Sequence, residues 1–265
     1  LSEMKINLKH ITLQVCRIAK ETGNYLSTER KNFKIEDVQH KGTHDYVSYV
    51  DREAEKMIVD GLRALLPEAG FITEEGTTEA SDTNLNWIVD PLDGTTNFIH
   101  DNAPYCVSIA LRDGEELLVG VVYEVCRNEC YYAWKGGYAY LDGKLIHVSD
   151  KPIVEAFIGL ELPYNADAYK ITILNILDKL YGRVSSFRIN GSAAMGLCYV
   201  AAGRYDGWTE AYISTWDYSA GVLIVREAGG TVTDFYGKED ITGTHHVIAT
   251  NGIIHEDLKK ALIFN

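Results

Sequence analysis

Two hydrophobic rhythms run along the chain. Near the start Leu8, Ile11, Val15 and Ile18 recur every three or four residues, which predicts an amphipathic helix ending near Gly23. A second helix is predicted over "DREAEKMIVDGLRALLP", with Ala54, Met57, Ile58, Leu62 and Leu65 on one side and Pro67 as its stop. The rhythm then shortens. "GFIT", "NWIVD", "YCVSIALR", "LLVGVVYEV" and "ECYYAWK" are brief, rich in β-branched and aromatic residues and divided by polar turns, so they read as strands. "YAYLDGKLIHV" reads as a hairpin with Asp142-Gly143 at its tip, the pair a type I′ turn favours.

After Lys151-Pro152 the rhythms alternate. Strands are expected at "AFIGLEL", "VSSFRI", "YDGWTEA", "TVTDF" and "HVIATN". Helices are expected near Tyr169–Leu180, from Ser192 to Ala201, opening at Trp216-Asp217, and over His255–Leu262. Helices, an antiparallel meander and then alternating units imply stacked layers in two subdomains, residues 1–150 and 151–265.

Composition narrows the class. The 265 residues, 46% hydrophobic and 24% charged, suit a soluble globular protein with a substantial core. No apolar run reaches the length of a membrane span, and the N-terminal segment lacks the pattern of a signal peptide. Cys16, Cys106, Cys126, Cys130 and Cys198 are odd in number, lie in apolar segments and lack a companion Cys/His pair. They read as buried thiols of a reducing, cytoplasmic compartment. A net charge of −13 argues against nucleic acid as a partner, because phosphate contacts need clustered Lys and Arg. A phosphorylated small molecule stays compatible, since a bound metal supplies positive charge locally.

The candidate chemistry centres on "NWIVDPLDGTTNFIH". Asp90 and Asp93 end an apolar strand, and Gly94-Thr95-Thr96-Asn97 follow, where backbone N–H groups at a helix start can seat a phosphate. A turn alone would also use Asp, Pro and Gly. Glu74 and Glu75 follow "GFIT", and Asp217 opens the "WDYSAG" helix, where it would also favour the helix dipole. Asp51 stands three residues after Ser48, as in a capping box. Two like charges 4 Å apart repel by roughly 4 kcal/mol at an effective dielectric near 20. Convergence of several such acids therefore calls for a cation, and oxygen-only ligands favour Mg²⁺, Mn²⁺ or Ca²⁺ over Zn²⁺.

"DPLDGTTNF" at residues 90–98 and "WDYSAG" at 216–221 resemble the two signatures of the inositol monophosphatase family, Mg²⁺-dependent and lithium-sensitive phosphatases. "EE" at Glu74-Glu75 and "DYVSYVD" at residues 45–51 fall where that family has its other acidic elements, so the resemblance spans nearly the whole chain. It implies a layered αβαβα sandwich of mixed α+β and α/β character, the inositol monophosphatase and fructose-1,6-bisphosphatase type, with the metal site between two subdomains. Glu74, Asp90 and the Leu92 carbonyl would hold one ion; Asp90, Asp93 and Asp217 a second; a third, more weakly held, would sit near Glu74. Mn²⁺ would substitute, and Ca²⁺ and Li⁺ would inhibit. Gly94 and Thr95 would offer N–H groups to the phosphate, Thr95 and Asp51 would orient and help deprotonate the attacking water, and Glu74 would hold that water against the metal. The resemblance also implies a homodimer.

Thr73 and Gly76 depart from the family pattern on either side of the paired acids, which makes the third ion the least secure transfer. Gly191, Ser192 and Ala193 would underlie the substrate ring, and Asp93 and Asp217 would also face the substrate. Ser214-Thr215 and Pro163-Tyr164 would lie in substrate-side loops, and Glu210 would accept hydrogen bonds from a polyol hydroxyl, its alternative being a solvated strand-end acid. His100, His245 and His246 carry no assigned chemistry. A negative Glu210 disfavours a second phosphate nearby, so the leading expectation is hydrolysis of inositol 1-phosphate or a similar polyol monophosphate. Arg188 and Lys170 keep fructose 1,6-bisphosphate and 3′-phosphoadenosine 5′-phosphate open as alternatives, and a non-catalytic metal-binding regulator is the third.

Overall fold

In the computed structural model, which describes residues 7–34, 39–42, 45–47, 49–78, 83–163 and 166–262, helix α1 (Leu8–Asn32) opens on Asn7, whose side chain accepts the His10 N–H at 3.0 Å. It continues past Gly23, the expected stop, to Asn32. That glycine answers to packing: a Cβ there would strike the Tyr123 ring. Helix α2 (Tyr49–Leu65) buries Val50, Asp51, Ala54, Glu55, Ile58, Val59 and Leu62. Met57, expected on the inner face, is 40% exposed. The buried face is rotated toward Asp51, Glu55 and Val59, because two acids of this helix point inward. Ser48, the proposed cap, and Tyr164 lie outside the described residues.

Strands β1 (Gln39–Gly42) and β2 (Asp45–Val47) form a small antiparallel pair. A seven-stranded sheet follows in chain order: β3 (Gly70–Thr73), β4 (Leu85–Asp93), β5 (Cys106–Asp113), β6 (Glu116–Glu124), β7 (Glu129–Trp134), β8 (Ala139–Leu141) and β9 (Lys144–Ile146). Only its first pair, β3 with β4, is parallel. The short helix α3 (Thr95–Ile99) follows β4 directly. The β8–β9 turn has the expected chemistry, with Asp142 and Gly143 both at positive φ.

The second half supplies β10 (Phe157–Leu160), α4 (Ala166–Leu180), β11 (Ser186–Arg188), α5 (Ala193–Ala201), β12 (Gly207–Ala211), α6 (Thr215–Glu227), β13 (Thr231–Thr233), β14 (His246–Thr250) and α7 (His255–Leu262). Its five strands run in the order β11-β10-β12-β14-β13, with β10 parallel to both neighbours.

Strand alternation sets the layers. Trp87 and Val89 of β4 face α1 and α2, packing with Val15, Ala54, Ile58, Ile109 and Val121. Ile88, between them, faces the opposite way, into a core with Met195 and Leu197 of α5, Val222 and Val225 of α6, and Trp208 and Val247 of the second sheet. Ile158, Leu160 and Ile248 on the far face of that sheet pack with Ile176 and Leu180 of α4 and Leu258 of α7. The result is an αβαβα sandwich. Burial of the thiols is uneven: Cys106 and Cys198 are buried, Cys16 and Cys130 half-buried and Cys126 exposed, all five unbridged. Cys126 lies just past the end of β6, outside the packed strand.

Candidate active site

Parallel strand pairs place the acids. In the first sheet Thr73 is in register with Val89, and the next N–H, that of Glu74, donates to the Val89 carbonyl at 3.2 Å, so Glu74 and Asp90 leave the strands side by side. The second sheet repeats the device. Leu160 is in register with Thr209, the Glu161 N–H donates to the Thr209 carbonyl at 3.2 Å, and Glu161 and Glu210 emerge together.

A cavity of about 540 Å³ lies between these strand ends. Glu74, Asp90, Leu92, Asp93, Gly94 and Thr95 line it together with Glu161, Gly191, Ser192, Ala193, Glu210 and Asp217. The expected metal ligands and substrate-facing residues thus share this cavity, whereas Asp51, Glu75 and Thr215 are not among the residues lining it. The Asp51 carboxylate is buried on the first turn of α2, behind Thr95. The Thr95 hydroxyl lies 3.0 Å from the Leu92 carbonyl and 3.3 Å from Asp51 Oδ1, two acceptors that compete for one proton. Gly94 enters α3 at φ 90°, and a Cβ there would meet the Pro104 carbonyl at 2.9 Å. Pro163, Ser214 and Trp216 also line the cavity, as does His245, whose Nδ1 lies 3.3 Å from the Ile213 carbonyl.

Each aspartate uses one oxygen to fix itself. Asp90 Oδ1 accepts the Leu92 N–H at 2.9 Å. Asp93 Oδ2 accepts Ser192 Oγ–H at 2.6 Å and the Ala194 N–H at 2.8 Å, with the Cys106 thiol at 3.7 Å. Asp217 Oδ2 accepts the Ser214 N–H at 2.7 Å and closes the capping box of α6, so the first-turn reading and the cavity position hold together.

The electrostatics are those of crowded carboxylates. Burial pushes Asp90 well above the usual carboxylate range, and the charges of Glu74, Asp93 and Asp217 and a hydrogen bond with Glu74 push it the same way. Burial, then Asp93, raises Asp217 to about 7. Burial also raises Asp93, opposed by the Ser192 and Ala194 hydrogen bonds. Glu210 is pushed far up by burial and then by Glu161, Asp217 and Asp93; its Oε2 is buried with no hydrogen-bond partner among the described residues. It is not the solvated strand-end acid that its sequence also allowed.

Whether divalent cations fit can be tested on these groups. Among the described residues no three His, Cys, Asp or Glu side chains already surround one point as a formed metal site. The carboxylates are crowded instead: burial and then the charges of Glu74, Asp93 and Asp217 all push Asp90 toward its neutral form. A cation removes that repulsion and lets the group stay ionised. The donors are all oxygen, so the set fits Mg²⁺ or Mn²⁺.

Sequence reasoning missed three participants. Glu161 accepts the Asn190 and Gly191 N–H groups at 3.2 and 2.9 Å and fixes the loop ahead of Ser192. Its signal, an acid ending the apolar run "AFIGLE", is the one that exposed Asp90. Asn97 donates to the Asn190 and Pro104 carbonyls at 2.7 and 2.8 Å, holding that loop from the first half of the chain. Glu55, buried on α2, gave no signal beyond one polar position in a helix. The cations named as neighbours do not reach the site: Arg188 bonds Ser186 Oγ and its own strand's carbonyl, and no Lys or Arg is among the described residues lining the cavity.

The profile of the inositol monophosphatase family matches residues 7–264. Nus factor SuhB of Escherichia coli K12 is 40% identical over 237 residues, 89% of each chain. An inositol-1-monophosphatase of Mesorhizobium japonicum is 39% identical over 246 residues, 92% of each. The solved structure of extragenic suppressor protein suhB from Bartonella henselae superposes with a TM-score of 0.87 at 37% identity, covering 96% of this chain and 97% of that one.

Proposed function

The chain belongs to the inositol monophosphatase family, and we propose that it hydrolyses a phosphate monoester, a monophosphate of inositol or a similar polyol, with Mg²⁺ as cofactor. The observation that carries this reading is the cavity wall: carboxylate and carbonyl oxygens flank the Gly94-Thr95 turn, and among the described residues no Lys or Arg lines it. That same lack of basic residues favours a monophosphate over a bisphosphate.

Glu74, Asp90 and the Leu92 carbonyl would hold one ion, Asp90, Asp93 and Asp217 a second, and a third would lie near Glu74. Bound Mg²⁺ would supply the charge that activates water and stabilises the departing oxygen. The protein's own groups do the rest. The Gly94 and Thr95 N–H groups seat the phosphate. Thr95, hydrogen-bonded to Asp51, orients the water and passes its proton toward that carboxylate. Ser192 and Ala194 fix Asp93, while Gly191, Ala193 and Glu210 face the leaving group. Mn²⁺ would replace Mg²⁺, Ca²⁺ and Li⁺ would inhibit, and the working form is a cytoplasmic homodimer.

The test is phosphate release from inositol 1-phosphate, fructose 1,6-bisphosphate and 3′-phosphoadenosine 5′-phosphate, with Mg²⁺ and with added Li⁺, on the wild type and Asp93→Asn. Preference for the monophosphate and loss of turnover in the variant are expected; near-normal turnover of Asp93→Asn rejects the assignment. A second reading, a role as a Nus factor, is favoured by the name of the SuhB relatives. Wild-type protein that binds Mg²⁺ but releases no phosphate from any substrate would favour it.

A further inference from the structure

Helix α2 carries two buried acids one turn apart, Asp51 and Glu55, on the same face. Asp51 reaches Thr95. Glu55 is not among the cavity-lining residues and has no exposure at all. A carboxylate is buried without a cation only if donors replace the water it has lost. Two backbone groups do so: the Glu75 N–H donates to Oε2 at 2.7 Å and the Thr77 N–H to Oε1 at 2.8 Å. Between them Gly76 turns through φ 64°, with open space where a side chain would stand.

The consequence falls on Glu74. On its N-terminal side its own N–H completes the β3–β4 ladder at the Val89 carbonyl. On its C-terminal side the chain is gripped by Glu55 through both carboxylate oxygens. Glu74 is thus the residue between a strand end and a clamp, with its backbone fixed on both sides.

We propose that Glu55 is a positioning residue that fixes the Glu74 turn and so sets the affinity of the acid cluster for divalent metal. The inference rests on the reading of Glu74 as a metal ligand. Groups that orient metal ligands from behind typically change metal affinity by about 10- to 100-fold when replaced.

The experiment titrates Mn²⁺ alone into wild-type and Glu55→Gln protein, following free ion by electron paramagnetic resonance, with amide hydrogen exchange of the same proteins. A glutamine keeps the size but opposes its NH₂ to one of the two donors. Binding weakened about tenfold, faster exchange confined to the turn after β3 and a modestly lowered unfolding midpoint in the absence of metal, from the buried N–H left unpaired, are expected. A merely structural role would move the midpoint and leave the Mn²⁺ affinity alone. If Glu55→Gln lacks a cooperative unfolding transition, Glu55→Asp, which keeps the charge and shortens the reach, carries the same expectation. Wild-type Mn²⁺ affinity in a folded variant overturns the proposal. Failure of the wild type itself to bind Mn²⁺ overturns the metal-site reading and this proposal with it.

Discussion

The cavity has two walls built on one plan and loaded differently. On the first, the parallel ends of β3 and β4 present Glu74 and Asp90; on the second, those of β10 and β12 present Glu161 and Glu210. In the first pair burial raises Asp90, and the charges of Glu74, Asp93 and Asp217 raise it further. The second pair is split. Glu161 is satisfied by two backbone N–H groups, whereas Glu210 keeps a buried oxygen without a partner among the described residues. The difference teaches that an acid pair at parallel strand ends is only a frame. What surrounds it decides whether it needs a cation, a backbone loop or a ligand's hydroxyl.

The sharpest way to break this comparison is to remove charge from the first wall at a residue donated by the second half. Asp217→Asn keeps the side chain's shape and leaves an oxygen to accept the Ser214 N–H of the capping box. Turnover with Mg²⁺ is expected to fall by roughly 10³-fold, the scale of losing one group that stabilises charge in the transition state. The unfolding midpoint without metal should stay or rise, since a buried charge is removed. A fall of less than about tenfold, measured as kcat, would place Asp217 with the helix cap rather than the chemistry.

Glu161 sharpens the contrast through pH. Burial lifts it from 4.5 to about 7, against the pull of the Gly191 and Asn190 N–H groups. A carboxyl whose folded pKa is raised contributes stability that is complete below 4.5 and is lost as pH rises through about 7. Across that window the metal-free protein should lose roughly 3 kcal/mol from this group, at about 1.4 kcal/mol per pKa unit. Urea unfolding at pH 5 and pH 8 measures it. Glu161→Gln is expected to flatten the difference by about that amount, and an unchanged slope would mean that other acids dominate it.

How much of this was legible follows the same division. The first wall was, because β4 and its turn carry Asp90, Leu92, Asp93, Gly94 and Thr95 in one short stretch, and the alternation of Trp87, Ile88 and Val89 fixes the strand that presents them. The layers were legible from the two rhythms. Gly23 misled, because a glycine tolerated for the Tyr123 ring looks like one that ends a helix. Glu55 and Glu161 were not read, because their partners are main-chain N–H groups 20 to 30 residues away. Such a partner leaves no residue type to recognise. Asn97 lay in the motif, yet its work, bridging to the Asn190 carbonyl, exists only once the two halves meet.

The smallest expected effect falls on the second wall, at Glu210. Its buried Oε2 lacks a partner among the described residues, and its neighbours along the cavity include Gly191, Tyr212 and Ile213. A hydroxyl of the leaving group would satisfy that oxygen, and a hydrogen bond contributes about 0.5–1.5 kcal/mol. Glu210→Gln sets an NH₂ in place of one carboxyl oxygen, so KM for inositol 1-phosphate should rise by up to about tenfold with kcat nearly unchanged, the pattern of a group that binds ground and transition states alike. A phosphate ester without leaving-group hydroxyls should show no such change, which separates recognition from a general distortion of β12. Equal loss for both esters would assign Glu210 to the fold of the second wall, and the contrast between the walls would then be one of structure rather than of ligand.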